Sequence, residues 1–289
     1  MGQETHATSD DRQLGDAPPS SEPQRRRLTQ ARGGFLLAAT MTRGHSTSPS
    51  FRLLSPQNLT EYVIHVVAPE KGNDRGPWPA VVFLDGDDQF RFAAAAYQEL
   101  RLEDEVPPLL LVGVGYGASY TKPGNRRVRD YTPTAIDLEP ESGGADEFLA
   151  FLTDTLWPEL ARQHPLSEEA RGLAGHSLGS LLALHALLQP PPFFNRILAS
   201  APALWWDDHA LLRQADDLQR AGTTRPARLF LAVGTDDTPS MTADLERLEV
   251  QLAQRPLLGL EAFSRRFPGR NHYDVLPEAF REGLRTLFA

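Results

Sequence analysis

From about Gly34 onward, apolar residues fall into two recurring patterns. Phe51-Arg52-Leu53-Leu54 and Glu61-Tyr62-Val63-Ile64-His65-Val66-Val67 read as antiparallel opening strands, followed by a Gly/Asn/Asp/Pro loop from Lys71 to Pro77. Four short continuous apolar runs come next: Ala80–Leu84, Leu109–Val114, Arg171–Ala174 and Arg228–Val233. Such runs are expected of strands buried on both faces. Helical patterns lie between and after them. Asp146 to Gln163 carries Phe148, Phe151, Leu152 and Leu156 on one face, and Leu178–Leu188, Met241–Gln254 and Pro277–Phe288 supply three more. Buried strands alternating with amphipathic helices predict an α/β protein: a mostly parallel sheet with helices on both faces.

Length and composition narrow this picture. A chain of 289 residues suits one α/β domain with an appendage, since such domains often reach roughly 200–250 residues. The appendage is residues 1–32, which are polar, rich in Ser, Pro and charge, and without periodicity. They read as a disordered tail before a domain spanning residues 33–289. The net charge of −9 argues against nucleic acid or an anionic membrane as partner. The absence of cysteine excludes disulfides, zinc–thiolate sites and a thiol nucleophile. No apolar run approaches the roughly 20 residues that span a bilayer. Arg25-Arg26-Arg27-Leu28-Thr29 before Gly33-Gly34-Phe35-Leu36-Leu37 faintly resembles a twin-arginine export signal, but Arg32 interrupts the run. A cytoplasmic location is therefore the expectation, with export as the alternative.

The chemistry centres on Gly175-His176-Ser177-Leu178-Gly179, a G-x-S-x-G motif with a strand-like run before it and a helix after it. That is the strand–turn–helix setting of a nucleophile elbow in the α/β-hydrolase fold, where small residues let strand and helix approach closely around a strained serine. A chance glycine-rich turn is the bland alternative. In this fold the acid and then the histidine follow the serine. Of eight histidines, only His185, His209 and His272 come later. His185 lies inside the elbow helix and His209 in a polar segment that could simply start a helix. His272 lies in a late loop before the last helix, as a general base should. Asp236 and Asp237 follow the Arg228–Val233 strand, and either could be the acid or cap the next helix. Oxyanion donors are expected from the N–H of Leu178 and that of Gly86 or Asp87 in Leu84-Asp85-Gly86-Asp87-Asp88. That acidic loop lacks the spaced oxygen ligands of a calcium site, and no P-loop, dinucleotide fingerprint or zinc-protease motif occurs. Neither cofactor nor metal is expected.

A set of short segments, in order through most of residues 78–288, resembles the putative esterase family that includes esterase D and the enterobactin (siderophore) esterases. The segments are Val82-Phe83-Leu84-Asp85-Gly86, Val112–Tyr116, Arg129-Asp130-Tyr131-Thr132-Pro133, Gly143-Gly144-Ala145, the elbow, Ser200–Trp206, Val233–Asp237 and Asn271-His272. The resemblance implies an α/β-hydrolase with Ser177, His272 and, three residues after Gly234, Asp237. Some siderophore members resemble a Ser–His dyad. It also suggests Arg129, Tyr131, Trp205 and Trp206 as substrate-binding residues; core packing of the tryptophans and an Arg129–Asp130 ion pair are the structural alternatives. Ser180 departs from the glycine often seen after the elbow, and Ala201 from a serine before the proline.

The expected function is a carboxylic-ester hydrolase working through an acyl-enzyme on a small-molecule ester. A siderophore trilactone or a simpler acyl or aryl ester would serve. An anionic ferric catecholate would call for a cationic rim, for which Arg126, Arg127, Arg129 and Arg270 are candidates. Acyl transfer on the same fold and a non-catalytic hydrolase-like binding protein are the rival readings.

Overall fold

The computed structural model describes residues 50–69 and 76–289; the tail, the arginine cluster of the export-like segment and most of the Lys71–Pro77 loop lie outside the described residues. The chain runs through β1 (Ser50–Leu54), β2 (Glu61–Val67), β3 (Trp78–Phe83), α1 (Phe90–Leu102) and β4 (Leu110–Gly115). Next come α2 (Arg127–Tyr131), α3 (Ala145–Ala150), α4 (Trp157–Gln163), β5 (Leu166–His176) and α5 (Leu178–Leu188). The last third holds β6 (Arg196–Ser200), α6 (Trp206–Arg220), β7 (Thr224–Gly234), α7 (Pro239–Gln254), β8 (Leu258–Phe267) and α8 (Leu276–Phe288).

The strands form one sheet in the order β1-β2-β4-β3-β5-β6-β7-β8. β1 and β2 pair antiparallel, as does β2 with β4, and every later pairing is parallel. The four continuous apolar runs became β3, β4, β5 and β7, and all six residues of β4 are buried. Two cores follow, one per face. Phe90, Tyr97 and Leu100 of α1 pack with Phe280, Leu284 and Leu287 of α8 on one side. On the other, α5 packs with apolar residues of α3, α6 and α7. Every residue of α5 is buried, so it is apolar around its whole circumference rather than along one stripe.

The expected Asp146–Gln163 helix is present but not uniform. Between α3 and α4, Phe151–Leu156 forms wider π-type turns. Pro158, in the first turn of α4, has no N–H to complete the ordinary ladder through this stretch. Phe148, Phe151, Leu152 and Leu156 are fully buried, as their spacing predicts. Among the described residues no helix is long and apolar enough to cross a membrane.

Candidate active site

β5 delivers the chain to Ser177, and α5 starts at the next residue. Ser177 has φ 57° and ψ −120°, a conformation that L-residues adopt only at a cost of about 1–3 kcal/mol. The glycines of the motif make the turn possible. A Cβ on Gly175 would sit 2.3 Å from the carbonyl carbon and oxygen of Gly179. The elbow is also tied to β6. Ser177 N–H donates to the Ser200 carbonyl at 2.9 Å, and Ala203 N–H donates to the Ser177 carbonyl at 3.2 Å. Ser180 does more than replace a glycine. Its buried hydroxyl lies 2.8 Å from the Gly175 carbonyl and 2.7 Å from that of Ser200, pinning the helix to both strands.

Each of the three later histidines has a carboxylate partner: His185 with Asp146 at 2.8 Å, His209 with Asp244 at 2.8 Å, and His272 with Asp237 at 2.9 Å. A short His–Asp distance therefore does not select the site, and position does. The His272 ring lies 4.5 Å from the ring of His176, the residue before Ser177. Its partner Asp237 has a fully buried side chain. The second Asp237 oxygen accepts the Thr238 N–H at 2.7 Å. Asp236 is exposed, and its carboxylate accepts from the neighbouring Thr235 Oγ1 at 3.1 Å. Neither aspartate caps α7, because Thr238 accepts the Met241 N–H there. Burial, with the adjacent His272 and Arg127 adding to it, holds His176 well below the ordinary histidine pKa, so it stays neutral beside the site.

The Leu84–Asp88 loop is built around Asp85, which has φ 53°. Its carboxylate is buried and takes a two-pronged ion pair from Arg127, Nε to Oδ1 at 2.9 Å and Nη2 to Oδ2 at 3.0 Å. Burial pushes the Asp85 carboxyl up against the opposing pull of Arg127. The guanidinium, which burial alone would pull down, is held above its ordinary value by Asp85. The Gly86 N–H donates to the Val114 carbonyl at 2.8 Å. It is thus spent on the sheet, which removes Gly86 from the candidate oxyanion donors and leaves Asp87 with Leu178. The Asp87 carboxylate accepts the N–H groups of Tyr116 at 2.6 Å and Gly117 at 3.0 Å, joining this loop to the one after β4. Burial pushes the Asp87 carboxyl up, but His65 and the N–H groups of Tyr116 and Ala118 outweigh it and hold it below its usual range. Among the described residues no cluster of three or more His, Asp or Glu is arranged to hold a metal.

A family model described as "Putative esterase" matches residues 56–287. The chain belongs to this esterase family. It is a carboxylic-ester hydrolase of the α/β-hydrolase fold. It is 28% identical over 256 residues to the ferri-bacillibactin esterase BesA of Bacillus subtilis (strain 168), covering 81% of this chain and 87% of that protein. It is 35% identical over 163 residues to a siderophore triacetylfusarinine C esterase of Aspergillus fumigatus; that match spans 53% of this chain and about half, 55%, of the fungal protein. Among solved structures, the BES protein from Bacillus cereus superposes with a TM-score of 0.75 at 27% identity, over 84% of this chain and 97% of that one.

In this esterase the residues suggested for substrate binding divide. Tyr131 is fully buried, and its hydroxyl accepts the Asp85 N–H at 3.0 Å. It supports the loop from behind and is not a pocket residue. Arg129 donates to Asp130 Oδ1 at 2.7 Å and Thr60 Oγ1 at 2.8 Å. Asp130 in turn accepts the hydroxyls of Tyr62 at 2.7 Å and Tyr116 at 3.0 Å. Arg129 is thus a structural cation, because a buried carboxylate needs its charge. Trp206 is buried, with Nε1 donating to the Thr134 carbonyl at 3.1 Å, whereas Trp205 remains 46% exposed. Only Trp205 keeps a ring free to meet a ligand. The candidate cationic rim is also committed. Arg126 pairs with Glu141, Arg127 with Asp85, Arg129 with Asp130, and Arg270 with Glu278. Sequence reasoning missed the Asp85–Arg127 clamp, for which no local pattern exists across 42 residues. It also missed the left-handed turn Asp207-Asp208-His209, whose φ values are 47°, 48° and 64°.

Proposed function

We propose that Ser177 is the nucleophile, His272 its general base and Asp237 the acid that orients the imidazole, in hydrolysis of a carboxylic ester through an acyl-enzyme. The observation that carries this reading is the 2.9 Å bond from His272 Nδ1 to the buried Asp237, with the His272 ring 4.5 Å from that of His176, the residue before a serine held at φ 57° on the elbow. Asp237 fixes the proton on Nδ1, which leaves Nε2 to take the Ser177 proton as the hydroxyl attacks the ester carbonyl. The oxyanion accepts the N–H groups of Leu178 and Asp87. Collapse of the tetrahedral species breaks the C–O bond, and His272 returns its proton to the departing alcohol. Water then gives a proton to His272 and attacks the acyl carbon; the bond from that carbon to Ser177 Oγ breaks, His272 returns the proton to Oγ, and the carboxylic acid leaves.

The substrate class we propose is a siderophore ester. The ferri-bacillibactin and triacetylfusarinine C esterases that this chain resembles support it. The exposed Trp205 beside the elbow segment offers an aromatic face to such a ligand. Ser177→Ala tests the chemistry. It should abolish p-nitrophenyl ester turnover and labelling by a fluorophosphonate probe, with the circular-dichroism spectrum unchanged. Wild-type turnover in that variant would remove Ser177 from the role. Assays on iron-loaded and iron-free siderophore trilactones test the substrate. No cleavage of either, alongside normal p-nitrophenyl ester turnover, would leave a general esterase.

A further inference from the structure

Among the described residues β8 ends the sheet, pairing with β7 on one side and with no strand on the other. It is ten residues long, and Glu261–Arg266 are exposed throughout. Edge strands are usually kept from further pairing by a proline, a bulge or charged side chains. Glu261–Phe267 contains neither proline nor glycine. The stretch Glu261-Ala262-Phe263-Ser264-Arg265 is instead self-complementary about Phe263.

We propose that β8 is the interface of a homodimer, with two copies pairing antiparallel about Phe263 to continue the sheet across a twofold axis. Directly opposed residues share a face, with Cβ atoms about 4.5–5.5 Å apart. In this register Phe263 meets the partner's Phe263, and Glu261 meets the partner's Arg265 on both sides of the axis. Ala262 meets the partner's Ser264 on the other face, where small side chains let the strands close. Existing ion pairs extend the pattern. Arg265 lies 2.5 Å from Glu282 of α8, and Glu261 lies 3.5 Å from Arg228 of β7. Both inner members stay largely open, with side chains 49% and 68% exposed. Across the axis the four become a row of alternating sign, Glu282, Arg265, the partner's Glu261, the partner's Arg228. The charges also fix the register. Centring the pair on Arg265 or Glu261 would oppose like charges directly, which destabilises a sheet.

Sedimentation velocity on the full chain tests this. The wild type should sediment as a dimer at high micromolar concentration. Glu261→Arg alone and Arg265→Glu alone should each be monomeric, because each sets like charges opposite one another. An equimolar mixture of the two single variants should recover a dimer, and so should the double variant Glu261→Arg/Arg265→Glu. Unchanged ester turnover in each variant shows that it is folded. A monomeric wild type would overturn the proposal. So would dimers that survive both single reversals, or a mixture that stays monomeric.

Discussion

Asp237 and His272 stand 35 residues apart in the chain, yet their side chains meet at 2.9 Å because β7 and β8 lie side by side and end at the same edge of the sheet. Adjacent residues after β7 point in different directions, so Asp237 is buried against the imidazole while Asp236 faces solvent. Their variants should therefore differ sharply. Asp237→Asn should lose up to about 10⁴ in kcat, the loss seen when a triad imidazole takes the wrong tautomer. Asp236→Asn should stay near wild type, and both should melt cooperatively. The reverse ranking in a kcat comparison would move the acid to Asp236. Near-normal turnover in both variants and in the double variant would indicate a Ser177–His272 dyad.

The same meeting of loops makes Gly234 sensitive. A Cβ there would lie 2.0 Å from the Arg270 carbonyl oxygen, which also accepts the Asp236 N–H at 2.9 Å. Gly234→Ala must push the 269–271 segment away and carry His272 with it. A displacement of about 1 Å in a reacting group can cost about 10²-fold in rate. We expect a fall of that order in kcat with a far smaller change in melting temperature. Wild-type kcat would show that the loop absorbs the methyl group without moving His272.

The elbow was legible in the sequence because everything that makes it is local: a buried run, two glycines around a serine, and an apolar helix whose bounds, Leu178–Leu188, are those expected. β8, by contrast, gave no signal. With Glu261–Arg266 exposed, β8 has neither a continuous apolar run nor a buried alternate face to announce it. α1 was missed although Phe90, Ala93, Tyr97 and Leu100 fall at helical spacing, because its central alanines blur the contrast between faces. Asp237 could be chosen over Asp236 only through resemblance to a family, since both follow the strand. Arg129 pairs with its own neighbour Asp130, the structural alternative that the sequence already offered. The role of Tyr131 and the commitment of Arg127 to Asp85, by contrast, depend on partners far away in sequence. Periodicity carries no information about such pairs.

The Asp85–Arg127 pair should behave as a buried ion pair. Removing the cation alone leaves a buried carboxylate uncompensated, at a cost of about 3–5 kcal/mol. Arg127→Met should therefore lose stability of that order in urea unfolding. The double variant Asp85→Asn/Arg127→Met should lose clearly less, because no charge is stranded. Both should turn over esters slowly, since the loop carrying the Asp87 N–H has lost its clamp. Additive losses in the double-mutant cycle would show that the two side chains are not coupled.

His176 gives the fold a pH dependence whose sign can be worked out. Its folded pKa lies well below 6.5, chiefly through burial, with the nearby His272 and Arg127 adding to it. Unfolded, the imidazole titrates at about 6.5. Between those two values the unfolded chain binds a proton that the folded chain refuses, so stability falls as pH falls. His176 withholds nothing above about pH 6.5 and up to about 1.4 kcal/mol for each pH unit below it, until the folded pKa is reached. His176→Phe keeps a ring against His272 but cannot bind the proton. It also loses the 3.1 Å hydrogen bond to Ser200 Oγ, an offset that is the same at every pH. Urea unfolding at about pH 7.5 and about pH 5.5 separates the two effects. The wild type should lose more stability between these conditions than His176→Phe does. Equal losses would mean that His176 takes up its proton in the folded state as readily as in the unfolded one. A charge would then stand beside His272 in acid and oppose formation of the imidazolium on which the proposed proton transfer depends.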